Sequence, residues 1–294
     1  MNTFATWLKS IGATTSSWLS IWRNASTHNK LYWILWIAVI IEYYGHGAFG
    51  VFLGGSAPWL AYFNAVGIAP ALAWKVMPLV GIADFIVATI ILFYPCRIIL
   101  LYAALWGFWT ALLRPIAGQG IWQWGLEIVN FAVPFALLYL SGWGTSVRAW
   151  ITERTRPILT PNKAIQLSWF LRIIIAALLI GHGGSGLFDH ATIWINYFGV
   201  LGINSATISA LSLINIVGFF EIILGIVVLF RPHPYLLVFV FTWKVFTEFL
   251  RVPAGEVAFG FIERAATYAA PLALLYVVMW IQQARSHTET FPMA

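Results

Sequence analysis

The chain has 294 residues, of which 61% are hydrophobic and only 9% are charged, and its formal net charge is +6. A soluble globular protein has roughly 25% charged residues, so this composition excludes a soluble domain and indicates an integral membrane protein. The positive charges lie in predicted loops and chain ends and form no stripe, so they give no basis for binding nucleic acid. Cys96 is the only cysteine, which excludes an intrachain disulfide, a CxxC redox pair and a thiolate metal site.

The first 30 residues combine apolar and aromatic side chains at helical spacing with serines and threonines. The apolar members are Phe4, Trp7, Leu8, Ile11, Trp18 and Trp22. This pattern predicts an amphipathic helix over residues 1–30 that lies in the membrane interface. A loosely ordered tail is the alternative, because chain termini are often disordered.

Eight apolar runs follow, and together they predict eight transmembrane helices, since a membrane span needs roughly 20 apolar residues. The runs cover residues 31–53, 74–94, 98–113, 121–142, 167–187, 206–230, 235–250 and 258–281. Backbone polar groups are not left unpaired in lipid, so continuous runs of this kind predict helices and not barrel strands. No run looks unusually short or broken in both halves of the chain, which argues against a transporter.

The last four runs repeat the first four. The sequence GHG at residues 45–47 recurs at 181–183, and WLAYFNAVGI from Trp59 recurs as WINYFGVLGI from Trp194. We therefore predict two parallel four-helix repeats, residues 31–142 and 167–281, related by a pseudo-twofold axis along the membrane normal. A basic linker at 143–166 joins them, and a tail follows at 282–294.

Lysine and arginine are concentrated in the chain ends, in the linker and in the loops on the same side of the predicted bundle. Because positively charged loops stay inside, both termini are expected to be cytoplasmic, in a membrane of the bacterial inner-membrane type.

Ionisable residues interrupt the predicted spans, although a charge at the bilayer centre costs ~2.5–3.5 kcal/mol. We expect them to face protein or trapped water, gathered in one polar cluster per repeat. The predicted N-terminal cluster comprises Glu42, His46, Asp84, Arg114 and Glu127. The predicted C-terminal cluster comprises His182, Glu221, Lys244, Glu248, Arg251, Glu263 and Arg264.

The repeat matches some of these residues and separates others. Three aligned pairs keep their chemistry: His46 with His182, Asp84 with Glu221, and Arg114 with Arg251. Three aligned pairs differ: Glu42 with Leu178, Glu127 with Arg264, and Leu126 with Glu263. A site shared by both repeats would use the first set, whereas a single specialised site would use the second.

Each group has a structural interpretation beside a functional one. Carboxylates next to Arg114 or Arg251 can be internal ion pairs that fix helix packing, and Lys244 and Glu248 can neutralise each other one helical turn apart. A histidine between glycines can hydrogen-bond where two helices cross closely. The functional alternatives for the two histidines are proton relay, contact with a quinone, or axial ligation of a haem. No catalytic residue and no metal-ligand set is assigned.

These features resemble the DoxX/DoxD-like superfamily of four-helix membrane proteins, here as a tandem duplication. The resemblance rests on the glycine-rich end of the first helix (residues 45–50 and 181–186) and on a second helix with an embedded acid and a terminal proline (81–95 and 218–232). It covers most of both repeats. Family members are linked to membrane redox systems, including quinone-linked sulfur oxidation, so the resemblance implies a redox neighbourhood with a membrane or periplasmic partner.

The leading hypothesis is a membrane redox-associated protein whose polar clusters contact a quinone or relay protons. The matched histidines would contact the quinone carbonyls, the matched acids would exchange a proton, and the matched arginines would hold the carboxylates or an anionic substrate. Two alternatives stay open: a non-catalytic accessory subunit of a larger respiratory-type membrane complex, and a proton-coupled transporter of a small solute. Whether the protein is an enzyme also stays open.

Overall fold

The computed structural model describes residues 20–190, 192–203 and 209–287. Every named element in these ranges is a helix. In chain order they are α1 (Thr27–Leu53), α2 (Trp59–Ala65), α3 (Pro70–Phe93), α4 (Arg97–Ile116), α5 (Ile121–Glu127), α6 (Val129–Ser141), α7 (Val147–Ile151), α8 (Pro161–Asp189), α9 (Trp194–Val200), α10 (Ala210–Phe230), α11 (Pro234–Phe249), α12 (Phe259–Ile262) and α13 (Ala265–His287).

Local signals in the sequence set several helix ends. The side chains of Thr160 and Ser209 accept hydrogen bonds from backbone N–H groups in the first turns of α8 and α10, which otherwise lack partners. Proline opens α3, α8 and α11, where its missing N–H removes no helical hydrogen bond. At the other end, α1 stops at Gly54, whose φ of 73° favours glycine.

Seven stretches are long and apolar enough to cross a membrane, so the chain is an all-α integral membrane protein. They are Thr27–Leu53, Pro70–Phe93, Arg97–Ile116, Ile121–Ser141, Pro161–Asp189, Ala210–Phe230 and Phe259–Ser286. The eighth predicted span, residues 235–250, corresponds to α11, which has only 16 residues. At 1.5 Å per residue it is ~24 Å long, shorter than the ~30 Å hydrocarbon core.

Two of the seven stretches are interrupted. A turn at Ile128 separates α5 from α6, and a turn at Glu263 and Arg264 separates α12 from α13. The expectation that no span is broken in both halves is therefore wrong. Pro134 and Pro271 lie within the first two turns after the breaks, and each removes a backbone N–H that a continuous helix would use.

Glycines allow the long helices to cross in close contact. A Cβ atom added to Gly81 of α3 would lie 2.8 Å from the Cα atom of Gly50 on α1. A Cβ atom added to Gly218 of α10 would lie 2.7 Å from the carbonyl oxygen of Gly183 on α8. Both distances are shorter than van der Waals contact, so these crossings require residues without a side chain.

The interrupted spans reach across the molecule. We call residues 31–142 the N-terminal half and residues 167–281 the C-terminal half. Helix α5 of the N-terminal half packs on α8, while α12 and α13 of the C-terminal half pack on α1. The apolar core runs through both halves along α1, α6, α8 and α13, and the outer faces of α3 and α10 expose Leu79, Phe93, Phe219 and Phe230, as expected for surfaces in lipid.

The interfacial helix predicted over residues 1–30 falls mostly outside the described ranges. Of its aromatic side chains the structure describes Trp22, whose ring centroid lies 5.8 Å from that of Trp33 at the start of α1.

Candidate functional site

A cavity of about 630 Å³ lies in the N-terminal half, beside the C-terminal part of α1. Its volume falls in the ~300–1,000 Å³ range of small-molecule sites. The walls come from α1 to α5 and from the chain around α12. Aromatic side chains form much of the lining: Tyr43, Phe49, Trp59, Tyr62, Phe63, Trp106 and Trp109.

The charged lining combines five carboxyl groups, three guanidinium groups and one imidazole. It contains the whole predicted N-terminal cluster: Glu42, His46, Asp84, Arg114 and Glu127. It also contains Glu256, which the sequence did not single out, and three members of the predicted C-terminal cluster: Arg251, Glu263 and Arg264. The grouping by repeat therefore differs from the prediction at these three residues, because α12 packs on α1 and carries the end of its helix into the N-terminal half.

His46 and Asp84 form a direct pair at the cavity wall. Asp84 is 1% exposed, and its Oδ2 atom lies 2.7 Å from Nδ1 of His46. The imidazole stacks on the indole of Trp59, with the ring centroids 4.8 Å apart. Because the acid engages Nδ1, Nε2 is the ring nitrogen that a molecule in the cavity can reach.

The corresponding pair in the C-terminal half, His182 and Glu221, is surrounded by protein. Nδ1 of His182 hydrogen-bonds to the Glu221 carboxyl group, and the imidazole stacks on Trp194 at 4.6 Å between centroids. Glu221 also accepts a hydrogen bond of 2.7 Å from Nε1 of Trp243 and lies 3.7 Å from Nζ of Lys244. These three groups satisfy the carboxylate without a ligand.

Two aligned positions distinguish the surroundings of the two acids. Lys244, which is fully buried beside the acid, aligns with Gly107, which lines the cavity and packs closely on α6: a Cβ atom added there would lie 2.6 Å from the carbonyl carbon of Asn130. Trp243 corresponds to Trp106, whose Nε1 is buried without a hydrogen-bond partner among the described residues. The N-terminal half therefore has an indole donor without a partner in the described chain, whereas in the C-terminal half the indole donates to Glu221 and Lys244 lies beside the same carboxylate.

Ion pairs connect the two halves at the wall of the cavity. Arg114 lies 2.8 Å from Oε1 of Glu127, and Arg264 lies 3.5 Å from the same atom. Arg264 also lies 3.3 Å from Glu248, which Arg251 approaches at 2.7 Å. The interpretation of Arg114 and Arg251 as members of internal ion pairs therefore agrees with the geometry.

The predicted neighbours Lys244 and Glu248 are in contact as well, 3.3 Å apart. Lys244 thus lies between two carboxylates, those of Glu221 and Glu248, and links the His182 pair to the same ion-pair chain.

Glu42, which is buried, and Glu263, which is half-buried, differ from the neighbouring acids because neither has an ion-pair partner in the described chain. Glu42 is 5% exposed, and its Oε2 atom has no hydrogen-bond partner there. Buried polar atoms in proteins almost always have a partner, so an exception at a cavity wall indicates a site for a ligand, a water or a proton.

The short helices α2 and α9 cover the two histidines from the side where α1 and α8 end. Trp59, Tyr62 and Phe63 of α2 line the cavity, yet α2 has no buried residue. Its counterpart α9 buries Trp194 and Tyr197. Neither helix was among the predicted elements, although the repeated aromatic motif and the spacing of its aromatic residues were the available signal.

Hydrogen bonds attach α2 and α9 to the residues around Arg114 and Arg251. Arg114 donates to the Tyr62 hydroxyl at 2.9 Å, and Arg251 donates to Glu256 at 2.8 Å. Tyr197 donates to the other carboxylate oxygen of Glu256, and burial raises the pKa of Tyr197.

The geometry also bears on the two histidines as haem ligands. His46 lines the cavity, whereas His182 is not among the lining residues, so this cavity offers no common space between the two imidazoles. Within the described ranges, no group of three or more His, Cys, Asp or Glu side chains has the geometry of a metal site.

No protein-family model, no curated protein and no solved structure matches this chain. The function is therefore argued from the site.

Proposed function

We propose that this chain is a redox-associated membrane protein of the DoxX-like kind that binds a quinone in the cavity of the N-terminal half and moves protons to or from it. The observation that carries the proposal is an aromatic cavity of about 630 Å³ whose polar wall atoms include groups without a protein partner. A quinone head group is a flat ring with carbonyl oxygens at its edges, so it matches aromatic walls with a few placed hydrogen-bonding groups.

The wall supplies a hydrogen-bond donor and a proton carrier for such a ring. Nε1 of Trp106 is a buried donor that can bind one carbonyl oxygen. His46, held by Asp84 through Nδ1, presents Nε2 to a second oxygen and can give or take a proton there. A bound quinone supplies the electron chemistry, in which two electrons are exchanged together with two protons, and a separate membrane or periplasmic protein exchanges the electrons.

The proposal includes the duplicated architecture and its orientation. Helix α11 aligns with α4 at a constant offset of 137 residues, which supports it as a short eighth span. An even number of spans would put both termini on one side, and the lysine and arginine bias favours the cytoplasm. The cavity then lies toward the outer face of a bacterial-type inner membrane.

The experiment is a binding titration of the purified protein with a short-chain quinone, followed by quenching of tryptophan fluorescence. We expect saturable quenching, and solvent extraction of the protein as isolated should release a quinone. Trp106→Phe removes the free donor and should weaken binding roughly 2- to 10-fold, since one hydrogen bond contributes ~0.5–1.5 kcal/mol. Trp243→Phe is the matched control and should keep the affinity.

Two results would contradict this proposal. The first is unsaturable quenching that is the same in wild type and Trp106→Phe. The second is a Soret band in the visible spectrum of the purified protein, which would identify a haem and redirect the assignment of the histidines.

The broken spans favour a second candidate function, a proton-coupled transporter of a small solute. Interrupted helices at corresponding positions of two halves often mark a transport site near the membrane centre, and both breaks here adjoin the acids of the site. Uptake of a solute into proteoliposomes that depends on a pH gradient and is lost in Asp84→Asn would support this function over quinone binding.

A further inference from the structure

The two carboxyl groups without ion pairs, those of Glu42 and Glu263, lie at one junction between the halves. Glu42 is on α1, and Glu263 is at the break between α12 and α13. Both line the cavity. The other acids buried in this region, Glu127 and Glu248, each have an arginine within 2.8 Å.

The backbones at this junction are in direct contact. Gly45 lies one helical turn after Glu42, and a Cβ atom added to Gly45 would lie 2.7 Å from the Cα atom of Glu263. The break in the fourth span of the C-terminal half therefore packs against α1 one helical turn from Glu42, and both carboxyl groups line the same cavity.

The chain contains the same junction a second time, with apolar residues. Gly181 of α8 packs against the backbone of α5, and a Cβ atom added there would lie 2.7 Å from the carbonyl oxygen of Trp122. The positions that align with Glu42 and Glu263 are occupied by Leu178 and Leu126, which are 1% and 7% exposed. Packing at this junction thus requires only a leucine pair, and the two carboxyl groups are not needed for it.

The charges around the two acids come from every element packed against them. They are Tyr43 and His46 of α1, Asp84 of α3, Glu127 of α5, Arg264 at the break and Arg251 in the preceding loop. Asp84 is engaged by His46, and Glu127 is engaged by Arg114 and Arg264. The lining as a whole holds five carboxyl groups against three guanidinium groups.

A carboxyl group that is buried without a counter-ion favours its protonated form, and Glu42 is buried with an oxygen atom that has no partner in the described chain. We propose that Glu42 and Glu263 form a proton-binding site at the junction of the two halves, which loads from and discharges to the cavity. The site is distinct from the His46 pair and needs no quinone, so it goes beyond the proposed function. It would bind and release a proton next to the ligand in the cavity.

The test uses a hydrophobic carbodiimide, which reacts with protonated carboxyl groups in apolar surroundings. The full-length protein is labelled in its native membranes over a range of pH, and labelled peptides are assigned by mass spectrometry. We expect labelling at Glu42 or Glu263, decreasing as the pH rises, because only the protonated form reacts. The arginine-paired Glu127 and Glu248 are internal controls and should stay unlabelled.

A matched variant separates proton binding from packing. Glu42→Leu combined with Glu263→Leu reproduces the leucine pair of the other junction, so it should fold. The infrared band of a protonated carboxyl group, identified by its shift in D₂O, should be present in the wild type and lost in this variant. It should persist in Glu153→Gln, which alters an exposed acid.

The labelling decides the outcome even if the double variant does not fold. Absence of label at both Glu42 and Glu263 across the pH range, or equal labelling of Glu127 and Glu248, would overturn the proposal.

Discussion

Asp84 and Glu221 are both buried acids next to a histidine, yet the groups that surround them differ. Glu221 accepts from Trp243 and lies beside Lys244, whereas the side of Asp84 facing the cavity has no such partners. The position that aligns with Lys244 is Gly107, so Asp84 has no ammonium group beside it as Glu221 does. The proposed ligand binding therefore depends on partners that Asp84 lacks and Glu221 has.

This difference predicts opposite effects of removing one indole N–H. Trp243→Phe leaves the fully buried Glu221 with one hydrogen bond fewer, which should lower the free energy of unfolding by about 1–3 kcal/mol. Trp106→Phe removes a donor that has no protein partner and should change stability by less than about 0.5 kcal/mol. Thermal unfolding of the two variants in detergent measures this. Equal destabilisation of both would show that Nε1 of Trp106 has a structural role.

Much of the site at this scale could be predicted from the sequence. The repeat put each histidine in the same predicted cluster as the acid of the second helix, but it did not predict the direct contacts of His46 with Asp84 and of His182 with Glu221. The open cavity could not be predicted, because no pattern of residue types shows which polar atom lacks a partner. The alignment of Gly107 with Lys244 was the one available signal, and its meaning depends on where the neighbouring helices pack.

At the scale of elements, glycine crossings and broken spans place the site. The crossings of α1 with α3 and of α8 with α10 bring each histidine to its acid. The breaks in the fourth spans were not visible in the sequence, because residues 121–142 and 258–281 read as continuous apolar runs. No single residue accounts for the breaks. A proline follows each of them, and the separated segments pack against helices of the other half.

The crossings give a second prediction. Gly81→Ala and Gly218→Ala each put a methyl group closer to the facing helix backbone than contact allows, so each should lower stability by about 1–3 kcal/mol. Gly199→Ala in α9 is the control, because a Cβ atom there has nothing within 4 Å. In thermal unfolding, Gly199→Ala should be as stable as the wild type. Wild-type stability in Gly81→Ala would mean that α1 and α3 are farther apart than described.

At the scale of the whole molecule, the number of membrane crossings decides the topology. Seven stretches meet the length and hydropathy of a span, and α11 falls short with 16 residues. The sequence predicted eight because a run of apolar residues was counted without regard to its helical length. We nevertheless propose eight crossings, because α11 would be the counterpart of α4 in the proposed repeat.

Accessibility of single cysteines tests that number. In a Cys96→Ala background, Ser26→Cys and Ser286→Cys should react with a membrane-impermeant maleimide only from the cytoplasmic side of oriented vesicles. Val66→Cys, beyond the end of α2, should react only from the opposite side. Reaction of Ser26→Cys and Ser286→Cys from opposite faces would mean that α11 does not cross the membrane.

The central proposal for the whole molecule is that the ligand binds in the cavity beside α1 and not around His182. Photolabelling with an azidoquinone, followed by mass spectrometry of the labelled peptides, tests it most directly. The account predicts attachment within α2 and residues 102–116 that excess unlabelled quinone suppresses. Attachment around His182, or label spread over the lipid-facing surfaces of α3 and α10 without competition, would contradict it.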